Sequence, residues 1–98
     1  MSTQSAGKKQ LSIEDARSII IQPYITEKTF NLIERENKLV FIVKEKSTKN
    51  EIKEAMTVLY DAEVGDVNTV RTIRGKKAAI RFLDPNGARE LATSLGLV

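Results

Sequence analysis

The sequence predicts a mixed α/β (α+β) domain of order β-α-β-α-β-β-α, a four-stranded, mostly antiparallel sheet covered by helices. Three observations lead there. Apolar residues run unbroken from Leu39 to Val43 and alternate with a period of two from Lys77 to Leu83, whereas after Thr48 they recur every three to four positions. Thr26 and Thr48 have the chemistry of helix caps. A short glycine-containing turn separates the last two strand-like runs and makes them a hairpin. A chain of 98 residues is the size of one compact domain.

Residues 1–18 read as an N-terminal extension. Met1 to Gln10 is polar and reads as a flexible tail, and Ser12 followed by Asp15 can cap one short helical turn. The domain proper spans residues 19–98. Its first strand, Ser18 to Gln22, holds three consecutive isoleucines, whose branched Cβ favours extended backbone, and Pro23 ends it. Thr26 caps a helix to about Glu36, with Ile25 and Phe30 spaced as a hydrophobic staple and Phe30 and Ile33 as the inward stripe. Lys38 to Lys44 is apolar on both faces, which suits a central strand. Thr48 and Glu51 form a capping box for a helix whose buried side is Ile52, Ala55, Met56, Leu59 and Tyr60. Val64 to Ile73 and Lys77 to Leu83 are the hairpin strands, turning at Arg74, Gly75 and Lys76. Asp84 as cap with Pro85 at the first position opens the last helix, and Gly96 stops it.

Composition removes most catalytic chemistry. There is no cysteine and no histidine, so disulfides, thiolate nucleophiles, imidazole ligands and Ser-His pairs are excluded. Glu51 belongs to the capping box and Glu54 lies off the apolar stripe, so they are not an acid/base pair. Thr26, Glu27 and Lys28 are consecutive and do not face one another on a helix. The glycines are isolated, so no phosphate cradle is present and no cofactor is implied. The longest apolar run, Leu39 to Val43, is far short of the ~20 residues that cross a bilayer. A cytosolic, non-enzymatic protein is the expectation.

The charge distribution is more informative than its net value of +3. Between Arg71 and Arg81 lie Arg71, Arg74, Lys76, Lys77 and Arg81 with no acid, and Lys44, Lys46 and Lys49 follow the central strand. Such segregation suits a polyanion on one side. Asn68 and Thr69, just ahead of the hairpin, are polar groups able to reach a ribose hydroxyl. The central strand offers Phe41 alone for base stacking, which disfavours an RNA recognition motif and points to backbone-directed RNA binding. The alternative is a free-standing split βαβ interaction or regulatory domain whose basic residues only guard strand edges.

The ordered set Ile20-Ile21-Gln22-Pro23, Thr26-Glu27-Lys28, Asn37 to Val43, Asn50-Glu51-Ile52-Lys53, Val67-Asn68-Thr69 and Gly75-Lys76-Lys77-Ala78 closely resembles the large-subunit ribosomal protein twenty-three family, from roughly Ile19 to Val98. The Leu95 to Val98 ending resembles its archaeal and eukaryotic branch. The resemblance implies a protein bound to large-subunit rRNA near the mouth of the peptide exit tunnel, beside ribosomal protein twenty-nine. It also implies a docking surface for nascent-chain factors such as the signal recognition particle. Thr26 and Glu27 match the factor-docking segment. Lys28, Lys44, Lys46, Lys49, Asn68, Thr69, Arg71, Arg74, Lys76, Lys77 and Arg81 are the expected rRNA contacts. Bacterial members carry a long basic loop between the last two strands, whereas here about three residues separate Ile73 from Lys77, which speaks against lining of the tunnel.

Overall fold

A computed structural model describes residues 11–97; the segment Met1 to Gln10, read above as a flexible tail, lies outside the described residues. The elements are α1 (Ile13–Ile19), β1 (Ile20–Pro23), α2 (Glu27–Glu36), β2 (Lys38–Val43), α3 (Lys49–Tyr60), β3 (Val64–Thr72), β4 (Gly75–Phe82) and α4 (Gly87–Ser94). The strands form one sheet in the order β1-β2-β4-β3, and all three pairings are antiparallel.

Strand β2 is central, as its two apolar faces imply. Leu39, Phe41 and Val43 point into the core with Val67 of β3 and Ala78, Ile80 and Phe82 of β4. The buried apolar side chains of the helices, among them Ala16, Ile33, Ile52, Met56, Ala88 and Ala92, pack into that same cluster. The helices therefore cover one face of the sheet. On the opposite face the register lines up Val40 and Ile42 with Ala79 and Lys77, and these with Asn68 and Val70.

The capping box of α3 forms as its sequence implies: Glu51 N donates to Thr48 Oγ1 at 3.1 Å and Thr48 N donates to Glu51 Oε1 at 2.9 Å. Thr26 caps α2 through a second box in which Thr29 supplies the returning acceptor, at 2.7 Å from Thr26 N. The inward residues of α2 are Thr29 and Ile33, one turn apart, and Phe30 sits on the shoulder of the helix, 36% exposed. At the end of α4, Gly96 takes φ +77°. Its N–H donates to Thr93 O and that of Leu97 to Ala92 O, the paired bonds that satisfy a helix's last carbonyls.

Two helix boundaries differ from the sequence reading. Helix α1 runs seven residues instead of one turn and takes Ser18 and Ile19 from the expected first strand. Ser12 does cap it, accepting from Asp15 N at 3.0 Å, and burial of Ala16 and Ile19 on the core outweighs the extended preference of a β-branched residue. Helix α4 begins at Gly87, not at Pro85. Asp84 instead accepts from Asn86 N at 2.9 Å in a local turn, and the capping acceptor comes from Asn37, whose Oδ1 receives Ala88 N–H at 2.9 Å. Gly87 permits this approach, since a Cβ there would lie 2.7 Å from Cβ of Phe82.

Asn37 thus ties three elements together. It ends α2 with φ +58°, a left-handed conformation that asparagine tolerates better than most residues. Its Nδ2 donates to Phe82 O at 3.0 Å and to Asp84 O at 2.7 Å. Replacing Asn37 with Ala removes these bonds and leaves a Cβ in left-handed backbone, which costs about 3 kcal/mol. Thermal unfolding should then fall by about 15 °C. Asn37→Gly keeps the conformation but not the bonds and should be less damaging by about 1 kcal/mol; equal midpoints for the two variants would contradict the backbone part of this assignment.

Candidate nucleic-acid interface

The two basic stretches, separate in sequence, meet at one end of the sheet. Lys76 of β4 pairs with Val43, the last residue of β2, and with Arg71 of β3. The hairpin tip therefore lies beside the β2–α3 connection that carries Lys44, Lys46 and Lys49. Lys44 N donates to Ile19 O at 2.9 Å, anchoring the connection to the first strand's side. Ser47, 3% exposed, folds it back, its Oγ donating to Lys44 O at 2.6 Å. Lys76 Nζ then donates to Ser47 O at 2.7 Å, joining hairpin and connection directly.

Hairpin geometry shows which cations are engaged. The turn consists of Ile73 and Arg74, one position earlier than the sequence suggests, because the positive φ it needs falls on Gly75, at +122°. Lys77 emerges on the helix-free face, its ammonium 3.8 Å from the centroid of the Tyr24 ring. Arg71 lies 3.5 Å from Glu45, with both side chains largely exposed, so the pair is weak. Arg81 stands five residues up the strand from Lys76, about 17 Å away, and binds Asp66 at 2.6 Å. Arg74 makes no ion pair or side-chain hydrogen bond among the described residues. The acid partners of Arg71 and Arg81 come from other elements, so the acid-free run between them is acid-free in sequence only.

Lys44, Lys46 and Lys49 are exposed. Lys49 is the first residue of α3, where the helix macrodipole disfavours a cation, so helix stability does not account for its charge. Asn68 and Thr69 fall on opposite faces of β3: Asn68, exposed, lies opposite Ala79, and Thr69, half-buried, opposite Ala78. The structure does not bring the two together as one contact. Lys28 is exposed on α2 and shares no hydrogen bond or ion pair with the basic end among the described residues. Beside it Glu27 is exposed, while the Thr26 hydroxyl accepts from Thr29 N at 3.1 Å as the helix cap.

The far end of the sheet has the opposite charge. An open cleft of about 480 Å³ between the end of α3, β4 and α4 is lined by Asp61, Glu63, Asp84 and Glu90 with Tyr60, Phe82 and Leu91, and by no basic residue. Burial pushes the Tyr60 phenol above its ordinary pKa, so it stays neutral. Among the described residues no group of His, Cys, Asp and Glu could hold a metal ion, and no helix is long and apolar enough to cross a membrane.

The fold is thus an antiparallel sheet with one face under helices, a cluster of cations at one end and an acid-lined cleft at the other. The family model for ribosomal protein L23 matches residues 18–91. The large ribosomal subunit protein uL23 of Methanococcus vannielii is 51% identical over 84 residues, covering 85% of this chain and 98% of the relative. Those of Methanococcus aeolicus and Methanobrevibacter smithii are 49% and 44% identical over the same coverage. The chain belongs to the ribosomal protein L23 family, on the archaeal-type branch that its C-terminal residues resemble. It is accordingly a structural protein of the cytoplasmic ribosome and not an enzyme.

The Asp66–Arg81 pair gives a pH test of the local geometry. The Arg81 hydrogen bond, reinforced by its charge, holds the Asp66 carboxyl below its ordinary value. Its contribution to stability is therefore complete above the unfolded value of about 3.9 and is lost as pH falls through the lower native value. Carboxyl NMR titration should place Asp66 below the ordinary range and Arg81→Ala should return it there. An unchanged midpoint in that variant would mean that Arg81 does not set the shift.

Proposed function

We propose that this chain is an architectural rRNA-binding component of the large ribosomal subunit. One observation carries the reading: strand register and the Lys76–Ser47 hydrogen bond place Arg71, Arg74, Lys76 and Lys77 beside Lys44, Lys46 and Lys49 at one end of a rigid sheet. Cations fixed in this way neutralise phosphates brought together by RNA folding and release their counterions, which holds neighbouring rRNA helices in a set arrangement. Asn68 and Arg81 extend the contact along the helix-free face, Thr69 along the β3 edge, and Lys28 adds a charge from α2. Phe41, the one aromatic residue of the central strand, is buried in the core, which agrees with recognition of shape and backbone over stacked bases.

The relatives are named as proteins of the large ribosomal subunit, and that assembly is the one proposed here. Within it the chain sits near the mouth of the peptide exit tunnel beside ribosomal protein twenty-nine, the place implied by the family resemblance. The turn of only Ile73 and Arg74 gives the hairpin no long tip with which to line the tunnel. Glu27 is exposed in the first turn of α2, next to the half-covered Ile25 and Phe30, and forms with Thr26 a docking surface for nascent-chain factors such as the signal recognition particle.

A salt titration of binding to a large-subunit rRNA fragment, with an unrelated structured RNA in parallel, tests the RNA reading. Affinity should fall linearly in log–log form, and the Arg74→Ala, Lys76→Ala, Lys77→Ala triple variant should flatten the slope by about two to three units. Equal, weak binding to both RNAs with no effect of the triple variant would support a free-standing interaction domain instead.

A further inference from the structure

The hairpin tip carries an apolar side chain that the fold does not use. Ile73 has a relative exposure of 103%, against 56–61% for Ile13, Ile21, Val70 and Leu83. It is therefore out of contact with the core. A two-residue turn ordinarily takes polar residues or glycine, so a β-branched apolar residue at the apex gains nothing from folding. Nor is it there by strain or accident of backbone: Gly75 absorbs the positive φ, and neither Ile73 nor Arg74 has one. The apex is also braced. Thr72 Oγ1 donates to Gly75 O at 2.8 Å and accepts from Arg74 N at 3.2 Å, which holds the turn in one shape. Around this apolar group stand Arg74 beside it and Arg71 and Lys76 at the base of the turn.

We propose that Ile73 is an apolar wedge that packs against the face of an unstacked nucleobase or its ribose in folded RNA, while the flanking cations hold the phosphates on either side. This rests on the RNA-binding reading and deepens it. Cations report only the positions of phosphates, which a regular duplex also presents. A group that needs an exposed base face responds to loops and bulges, where bases are splayed out of the stack. RNA is the partner that offers apolar faces between closely spaced anionic groups, matching the Ile73 and Arg74 pair. The wedge therefore supplies discrimination, and the cations supply the salt-dependent part of the affinity.

The test uses the full chain, a large-subunit rRNA fragment and an uninterrupted RNA duplex of equal length, each titrated over a range of salt concentrations. Ile73→Ser should lose about tenfold in affinity for the fragment at every salt concentration, with the slope of the salt dependence unchanged. The duplex should be bound as before, and Ile73→Leu should restore the fragment affinity. Thermal unfolding should be the same for all three proteins, because Ile73 buries nothing in the fold. Wild-type affinity in Ile73→Ser, an equal loss on fragment and duplex, or a changed slope would each overturn the wedge. If the wild-type chain itself shows no salt-dependent binding to the fragment, the RNA reading fails; if it does and Ile73→Ser matches it, the wedge alone fails.

Discussion

Strand β4 is hydrogen-bonded along both edges, to β2 and to β3, and its register decides which side chains enter the core. In that register Ala78, Ile80 and Phe82 face the helices and are buried, while Lys77, Ala79 and Arg81 face the other way. A slip of one residue would turn Lys77 and Arg81 into the core and expose Ile80 and Phe82, so hydrophobic burial holds the register firmly. The same register places Lys76 level with Val43 and brings the hairpin tip to the loop that carries Lys44, Lys46 and Lys49. The packing of apolar residues thus assembles the basic end.

Charge polarity along the sheet follows from that placement. The hairpin tip and the β2–α3 connection form one end, and the acidic cleft around Asp61, Glu63, Asp84 and Glu90 lies at the other. A polyanion approaching the molecule is attracted to one end and repelled from the other, which orients it before close contact is made. Asn37 secures the far end by joining the end of α2 to the β4–α4 connection and the first turn of α4. The Lys76–Ser47 bond performs the corresponding role at the basic end. Hydrogen bonds thus tie both ends of the sheet, which agrees with the architectural role proposed above, because little order would remain to be imposed on binding.

Much of this arrangement was legible in the residues. The unbroken apolar run from Leu39 to Val43 identified the central strand, Thr48 and Glu51 the start of α3, and Gly96 the end of α4, because each signal is local and lies within a few positions. What escaped the sequence depends on contacts between distant residues. Ser18 and Ile19 read as strand until the core contacts of Ala16 and Ile19 make them helical. Asp84 and Pro85 form a good local helix start, but the acceptor that caps α4 is Asn37, some fifty residues away. Arg71 and Arg81 looked unopposed until strand pairing brought Asp66 level with Arg81 and the loop carried Glu45 to Arg71. Counting from the turn expected at Arg74 to Lys76 would set Asp66 opposite Asp84, and only the observed turn at Ile73 and Arg74 sets it opposite Arg81. Ile73 was read as the end of a strand, and only its position in the turn shows how exposed it is.

The most direct measurement is a backbone amide chemical-shift map of the whole chain titrated with a large-subunit rRNA fragment. If register joins the two basic stretches into one RNA-facing surface, the amides of residues 44–49 and 71–77 should shift together along one binding curve, while those of residues 61–63 and 84–90 stay in place. Shifts confined to one of the two stretches, or centred on the acidic cleft, would contradict it.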